Sequence, residues 1–107
     1  MNKTAESNEP IPLRWYDPIS RQSFAAGVAF YNGSFGDYTL KINVCRGKFY
    51  LRPTSFQDQQ TRYRVEKLEK YNGSVTKEIV GHGVMDESTK GKIHVKLAAY
   101  SDVLILG

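Results

Sequence analysis

Three side chains of the nucleophile and metal-ligand kind stand in the chain, Cys45, His82 and His94. Cys45 ends the alternating run DYTLKINVC, and a free cysteine in that setting behaves as a small buried hydrophobe rather than as a nucleophile. His82 lies between two glycines in VGHGV. A bent backbone there would expose an imidazole, but no carboxylate stands where it would orient the ring for acid–base work. The acidic pair Asp86-Glu87 opens DESTKG, a turn-forming stretch in which carboxylates are solvated. One cysteine excludes an intramolecular disulfide, and one cysteine with two histidines falls short of a four-ligand zinc site. Neither FGDY nor GHG leads into a helix, so neither is a phosphate-cradling loop. No catalytic residue, metal or cofactor is expected, and the chain reads as non-enzymatic.

The residues with the clearer chemistry are basic. If strands alternate, Lys41, then Lys48, Tyr50 and Arg52, then Arg62 and Arg64, then Lys92, His94 and Lys96 all point away from a core. Cations that neutralise phosphates, interleaved with rings on which bases stack, are the working parts of proteins that bind single strands. The formal net charge of +4 agrees with such a partner, and agrees equally with a solvated lysine and arginine face that maintains solubility. These nine residues form the expected nucleic-acid surface.

The elements that must position them are strands. DYTLKINV directs Tyr38, Leu40 and Ile42 inward, KFYLR directs Phe49 and Leu51 inward, and KIHVKLAAY directs Ile93, Val95 and Leu97 inward. SFAAGVAFY, with Gly27 as a bulge point, places Phe30 inward. Val65, Ile79 and Ile105 complete the expected core. The expected fold is all-β, a single small antiparallel barrel or sandwich of about seven strands over residues 13–107, preceded by a flexible arm over residues 1–12. The opening MNKTAESNEPIP holds no apolar run of the secretory type, and no segment reaches the roughly 18 apolar residues of a spanning helix. A cytoplasmic protein with no membrane partner is therefore expected.

The tetrapeptide Tyr-Asn-Gly-Ser occurs twice, at Tyr31–Ser34 and Tyr71–Ser74, and Asn-Gly is the strongest short signal for a tight hairpin. Each copy is followed by a basic-Gly-Lys stretch, RGKFYLR and KGKIHVK. That spacing implies two pseudo-repeated three-stranded meanders, with Lys48/Tyr50/Arg52 and Lys92/His94/Lys96 as equivalent stripes. The second half, with Val80-Gly81, then KGKIHVKL, then LIL at residues 104–106, resembles small all-β proteins of unknown function carried by phages and plasmids. That resemblance implies an all-β fold and a mobile-element origin, and brings no site residues with it. Two functions follow. The first is a non-enzymatic barrel that binds single-stranded nucleic acid weakly and with little sequence preference. The alternative is a protein-interaction or assembly module of a phage or plasmid system. It would pair its apolar terminal strand VLIL with a protein partner or a second copy.

Overall fold

Apolar residues at every second position close this chain on itself. In the computed structural model, described for residues 9–33, 36–43, 48–86, 88, 90–98, 100 and 102–107, eight antiparallel strands form a closed barrel in chain order. They are β1 (Ile11–Tyr16), β2 (Ser23–Asn32), β3 (Asp37–Ile42), β4 (Lys48–Gln57), β5 (Gln60–Tyr71), β6 (Ser74–Met85), β7 (Ile93–Leu97) and β8 (Val103–Leu106). No helix among the described residues is long and apolar enough to cross a membrane. The readings placed on Cys45, Glu87 and residues 1–8 fall outside the described residues. Ile11 and Pro12, assigned to the arm, belong to β1, where Ile11 lies opposite Ala29.

An eight-stranded barrel is just wide enough for its interior to be filled by side chains. Leu13, Leu40, Leu51, Val65, Val95 and Leu104 fill it here, each at 0–1% exposure. These side chains leave no ligand-sized space among them. Burial of Tyr38 and Tyr63 against this core pushes both phenols above their usual range, Tyr63 to about 12.

Phe30, Ile79 and Ile105 were expected inside, and the structure places them otherwise. In β2 the pairing with β1 slips between Leu13 and Arg14, which makes Ala26 the extra residue of a bulge and turns Ala26 and Ala29 inward. Phe30 then lies outside, half-buried, with Lys41 Nζ 5.6 Å from its ring centroid. In β6 the pairing with β5 slips between Val65 and Glu66, so Ile79 lies opposite Glu66 and is 58% exposed. Ile105 sits between the outward His94 and Arg14, while Leu104 and Leu106 take the inward positions.

The two bulges reveal the internal repeat. A Cβ on Gly27 would meet the Lys41 carbonyl oxygen at 2.0 Å, and one on Gly81 would meet the Lys96 carbonyl oxygen at 2.4 Å. Gly27 lies opposite Leu13 and Ile42, and Gly81 lies opposite Val65 and Leu97. Leu13 is in turn opposite Leu106, as Val65 is opposite Leu51. The register of β1–β4 thus recurs in β5–β8, and the unit is a four-stranded meander rather than a three-stranded one.

The two Tyr-Asn-Gly-Ser copies occupy non-equivalent hairpins, β2–β3 and β5–β6. Only the second is a tight two-residue turn. Asn72 and Gly73 have φ of 51° and 78°, the left-handed pair of a type I′ hairpin. In the first, the left-handed residue is Gly36 at φ 70°, whose N–H donates to the Asn32 carbonyl at 2.9 Å, and Gly33 is outside that region. Gly73→Ala is therefore expected to lower stability by about 1 kcal/mol, and Gly33→Ala to change it by less than about 0.5 kcal/mol. Urea denaturation of the two variants checks this.

One feature extends beyond the barrel. Among the described residues, pairing of β5 with β4 runs to Leu68 opposite Lys48, and pairing of β6 with β7 covers Gly81–Val84. Glu69 to Ile79 consequently stand out as a two-stranded arm, with Tyr71 73% and Val75 64% exposed.

Candidate nucleic-acid interface

Inward Leu51, Val65, Gly81 and Leu97 lie side by side across β4, β5, β6 and β7. Their chain neighbours are forced outward. Arg52 is opposite Arg64, Arg64 opposite His82, and His82 opposite Lys96. At the usual strand spacing this row of four basic side chains spans about 14 Å. A second row runs beside it from Arg62 through Val84, His94 and Ile105 to Arg14. Lys41 and Lys48 lie one step beyond Leu40 opposite Phe49, at the same level of the outer face. Lys92 is exposed just before β7.

The two stripes read from the sequence are not equivalent and do not sit next to each other. β4 and β7 are three of eight strand positions apart, about 135° around the barrel. Under the observed repeat β4 corresponds to β8 and β7 to β3, so the counterpart of Lys96 is Lys41. What joins the stripes is the pair between them, Arg64 and His82. The sequence reading weighed His82 only as an imidazole at a bend. The signal that would have found it is the glycine on each side: small inward residues at Gly81 and Gly83 leave His82 no direction but out.

Arg52 and Arg64 are held in place from below. Glu66, on the outer face of β5, is only 1% exposed because cationic side chains cover it. Arg52 Nε lies 2.7 Å from its Oε1, Arg64 Nε donates to its Oε2, and Lys77 Nζ lies 3.9 Å from Oε1. Arg52 also reaches the buried Asp37 at 3.5 Å. The arginine side chains nevertheless remain 39% and 42% exposed, so each presents an open edge while its other edge is fixed. This geometry restricts rotamers before any ligand arrives, and reduces the ordering cost of a later contact. It also neutralises part of the charge, which leaves Lys96 and the lysines around β4 as the more available cations.

Burial pushes the Glu66 carboxyl up, but the Arg64 hydrogen bond and the charges of Arg52, Lys77 and Arg64 outweigh it and hold the group below its ordinary 4.5. A carboxyl lowered in the fold stabilises fully above its unfolded value, and that stabilisation is lost as pH falls through the folded value. Asp17 behaves likewise. The Ile19 N–H and the Ser20 hydroxyl donate to its carboxylate at 2.9 and 2.8 Å and lower it. The melting temperature is expected to fall as pH drops below about 4.5. In Glu66→Gln the fall should be shallower, with the Asp17 contribution remaining. Melting curves between neutral and acid pH check this.

Around Tyr50 the outer surface is hollow. A groove of about 610 Å³ runs between β4 and the arm, lined by Lys48, Tyr50, Leu68, Glu69, Lys70, Tyr71 and Val75. Arg52 Cζ lies 5.4 Å from the Tyr50 ring centroid. Of these residues the sequence reading had singled out only Lys48 and Tyr50. Leu68, Lys70, Tyr71 and Val75 become a site only because β5 and β6 outrun their neighbours.

The apolar terminal strand does not offer an edge. β8 is paired with β7 on one side and β1 on the other. No family model, curated protein or solved structure matches this chain.

Proposed function

We propose that this barrel is a non-enzymatic module that binds single-stranded nucleic acid on its outer surface, with little sequence preference. The observation that carries the reading is the unbroken row Arg52–Arg64–His82–Lys96 across four adjacent strands, flanked by a groove containing Tyr50 and Tyr71. Such a row follows a phosphate backbone without reading base edges, so it supplies affinity and register but not sequence choice. The filled interior leaves the outside as the binding surface.

The test is fluorescence anisotropy with a labelled oligothymidine of about 12 nucleotides, a length within the usual single-strand site sizes. Three phosphate contacts from permanently charged side chains, Arg52, Arg64 and Lys96, give a slope of log K against log salt near −2.1 on a single strand, which is about a 20-fold loss between about 50 and about 200 mM salt. Absence of binding at low salt would refute the reading.

A second reading is supported by one feature. Among the described residues no strand pairs with Ser74–Ile79 on the side away from β5, and an open strand is a template for another chain. An interaction module would use this arm rather than VLIL. Light scattering that shows a stable dimer would favour it.

A further inference from the structure

We propose that the groove between β4 and the β5–β6 arm seats one or two unstacked nucleobases, with the adjoining phosphates on Lys48 and Lys70. This rests on the nucleic-acid reading above and assigns its aromatic half to a place in the fold.

The lining divides into two kinds of chemistry. Tyr50, Leu68, Tyr71 and Val75 make an apolar trough, and Lys48 and Lys70 flank it. Neither lysine forms an ion pair among the described residues. The groove's one carboxylate is already engaged, because Glu69 Oε1 lies 2.7 Å from Lys67 Nζ. The groove therefore presents net positive charge beside exposed rings. A ligand that uses both must be flat, apolar on its faces and anionic at its periphery. A nucleobase on its sugar-phosphate has that form, and a purely apolar peptide would leave the two lysines unmatched. A duplex keeps its bases stacked inside, so it could meet the lysines but not the trough.

The exposure of the rings points the same way. Tyr71 stands on an arm outside the barrel, with 73% of its surface open, so burial in the core is not what places it there. Tyr50 is half-buried and packed against the Arg52 guanidinium, which fixes one wall of the trough. Arg52 in turn is tied to Glu66, so the groove and the cation row share a residue. A strand leaving the row over Arg52 enters the groove directly.

The experiment compares an oligothymidine with an abasic strand of the same length, on the full chain at constant salt. Stacking of one base makes the base-containing strand bind about fivefold tighter or more. In Tyr71→Ala the preference should shrink to about threefold or less with the salt slope unchanged, and Tyr71→Phe should keep it. Val75→Asp, a second exposed position on the same wall, should reduce it too. If the wild type binds both strands equally, or Tyr71→Ala keeps the full preference, the groove is not a base site and the row alone carries binding. If neither strand binds, the nucleic-acid reading itself fails. If Tyr71→Ala abolishes a dimer of the free protein and leaves strand affinity intact, the groove belongs to a second copy of this chain and the inference is overturned.

Discussion

Gly27→Ala is expected to lower stability by about 3–5 kcal/mol, which is the strain of an unsuitable backbone added to that of an overpacked contact. Two independent features produce this. Gly27 has φ of 144°, which side chains rarely adopt, and its missing Cβ would fall 2.0 Å from the Lys41 carbonyl oxygen and 3.2 Å from Ile42 Cα. Both are backbone atoms, so no rotamer change relieves the contact, and β2 would have to separate from β3. Against a total stability of about 5–15 kcal/mol for a domain of this size, the variant stands close to unfolding at ordinary temperature. Gly81→Ala should cost less, about 1–3 kcal/mol, because its Cβ would meet the Lys96 carbonyl oxygen at 2.4 Å but its φ is one that side chains adopt. Urea denaturation measures both. A neutral result at either would mean that the close approach, and with it the repeated bulge, does not exist.

Lys48→Glu combined with Lys96→Glu is expected to weaken binding of an oligothymidine by about 50-fold or more at about 50 mM salt, and to flatten the salt slope by about 1.4 units. Each lost contact on a single strand removes about 0.7 of a unit of slope, and the added carboxylates contribute repulsion besides. Both positions are exposed, and Lys96 Nζ donates a 3.1 Å bond to the Leu97 carbonyl of its own strand. Folding should therefore be unaffected to within about 0.5 kcal/mol per site. Arg21→Glu, in the β1–β2 turn away from the row, serves as the control for net charge and should change affinity far less. Arg21→Glu changes the net charge by −2 and the double variant by −4, so a control loss half as large in log K as that of the double variant would show that binding responds to overall charge and not to this surface.

The fold was legible wherever alternation ran uninterrupted. Ile93, Val95 and Leu97 are buried as their spacing requires, and so are Leu40, Ile42, Phe49 and Leu51. Alternation failed at Phe30, which follows the β2 bulge, and at Ile79, which precedes the β6 bulge, while the unbroken apolar run around Ile105 offered no alternation to read. A glycine such as Gly27 marks where a bulge stands, but not that one extra residue reverses the parity of everything after it. The repeat was legible as an idea and misplaced in detail. Two identical tetrapeptides drew attention to unlike turns, while the true correspondence rests on Gly27 and Gly81, whose roles depend on strands far along the chain. The outward cations were read one strand at a time, so their row across β4–β7 and the linking His82 were missed. The groove was beyond reach of any local pattern, because it exists only where β5 and β6 continue past the ends of their partners.

The surface assignment is tested most directly by mapping amide chemical shifts of the isotope-labelled protein during titration with oligothymidine at low salt. Shifts are expected to concentrate at Arg52, Arg64, His82 and Lys96 and around Lys48, Lys70 and Tyr71, with the β1–β2 and β4–β5 turns unchanged. Saturable shifts confined to Asp58, Gln60 and Ser88, or an absence of any shift, would contradict the assignment of this outer surface to a nucleic-acid strand.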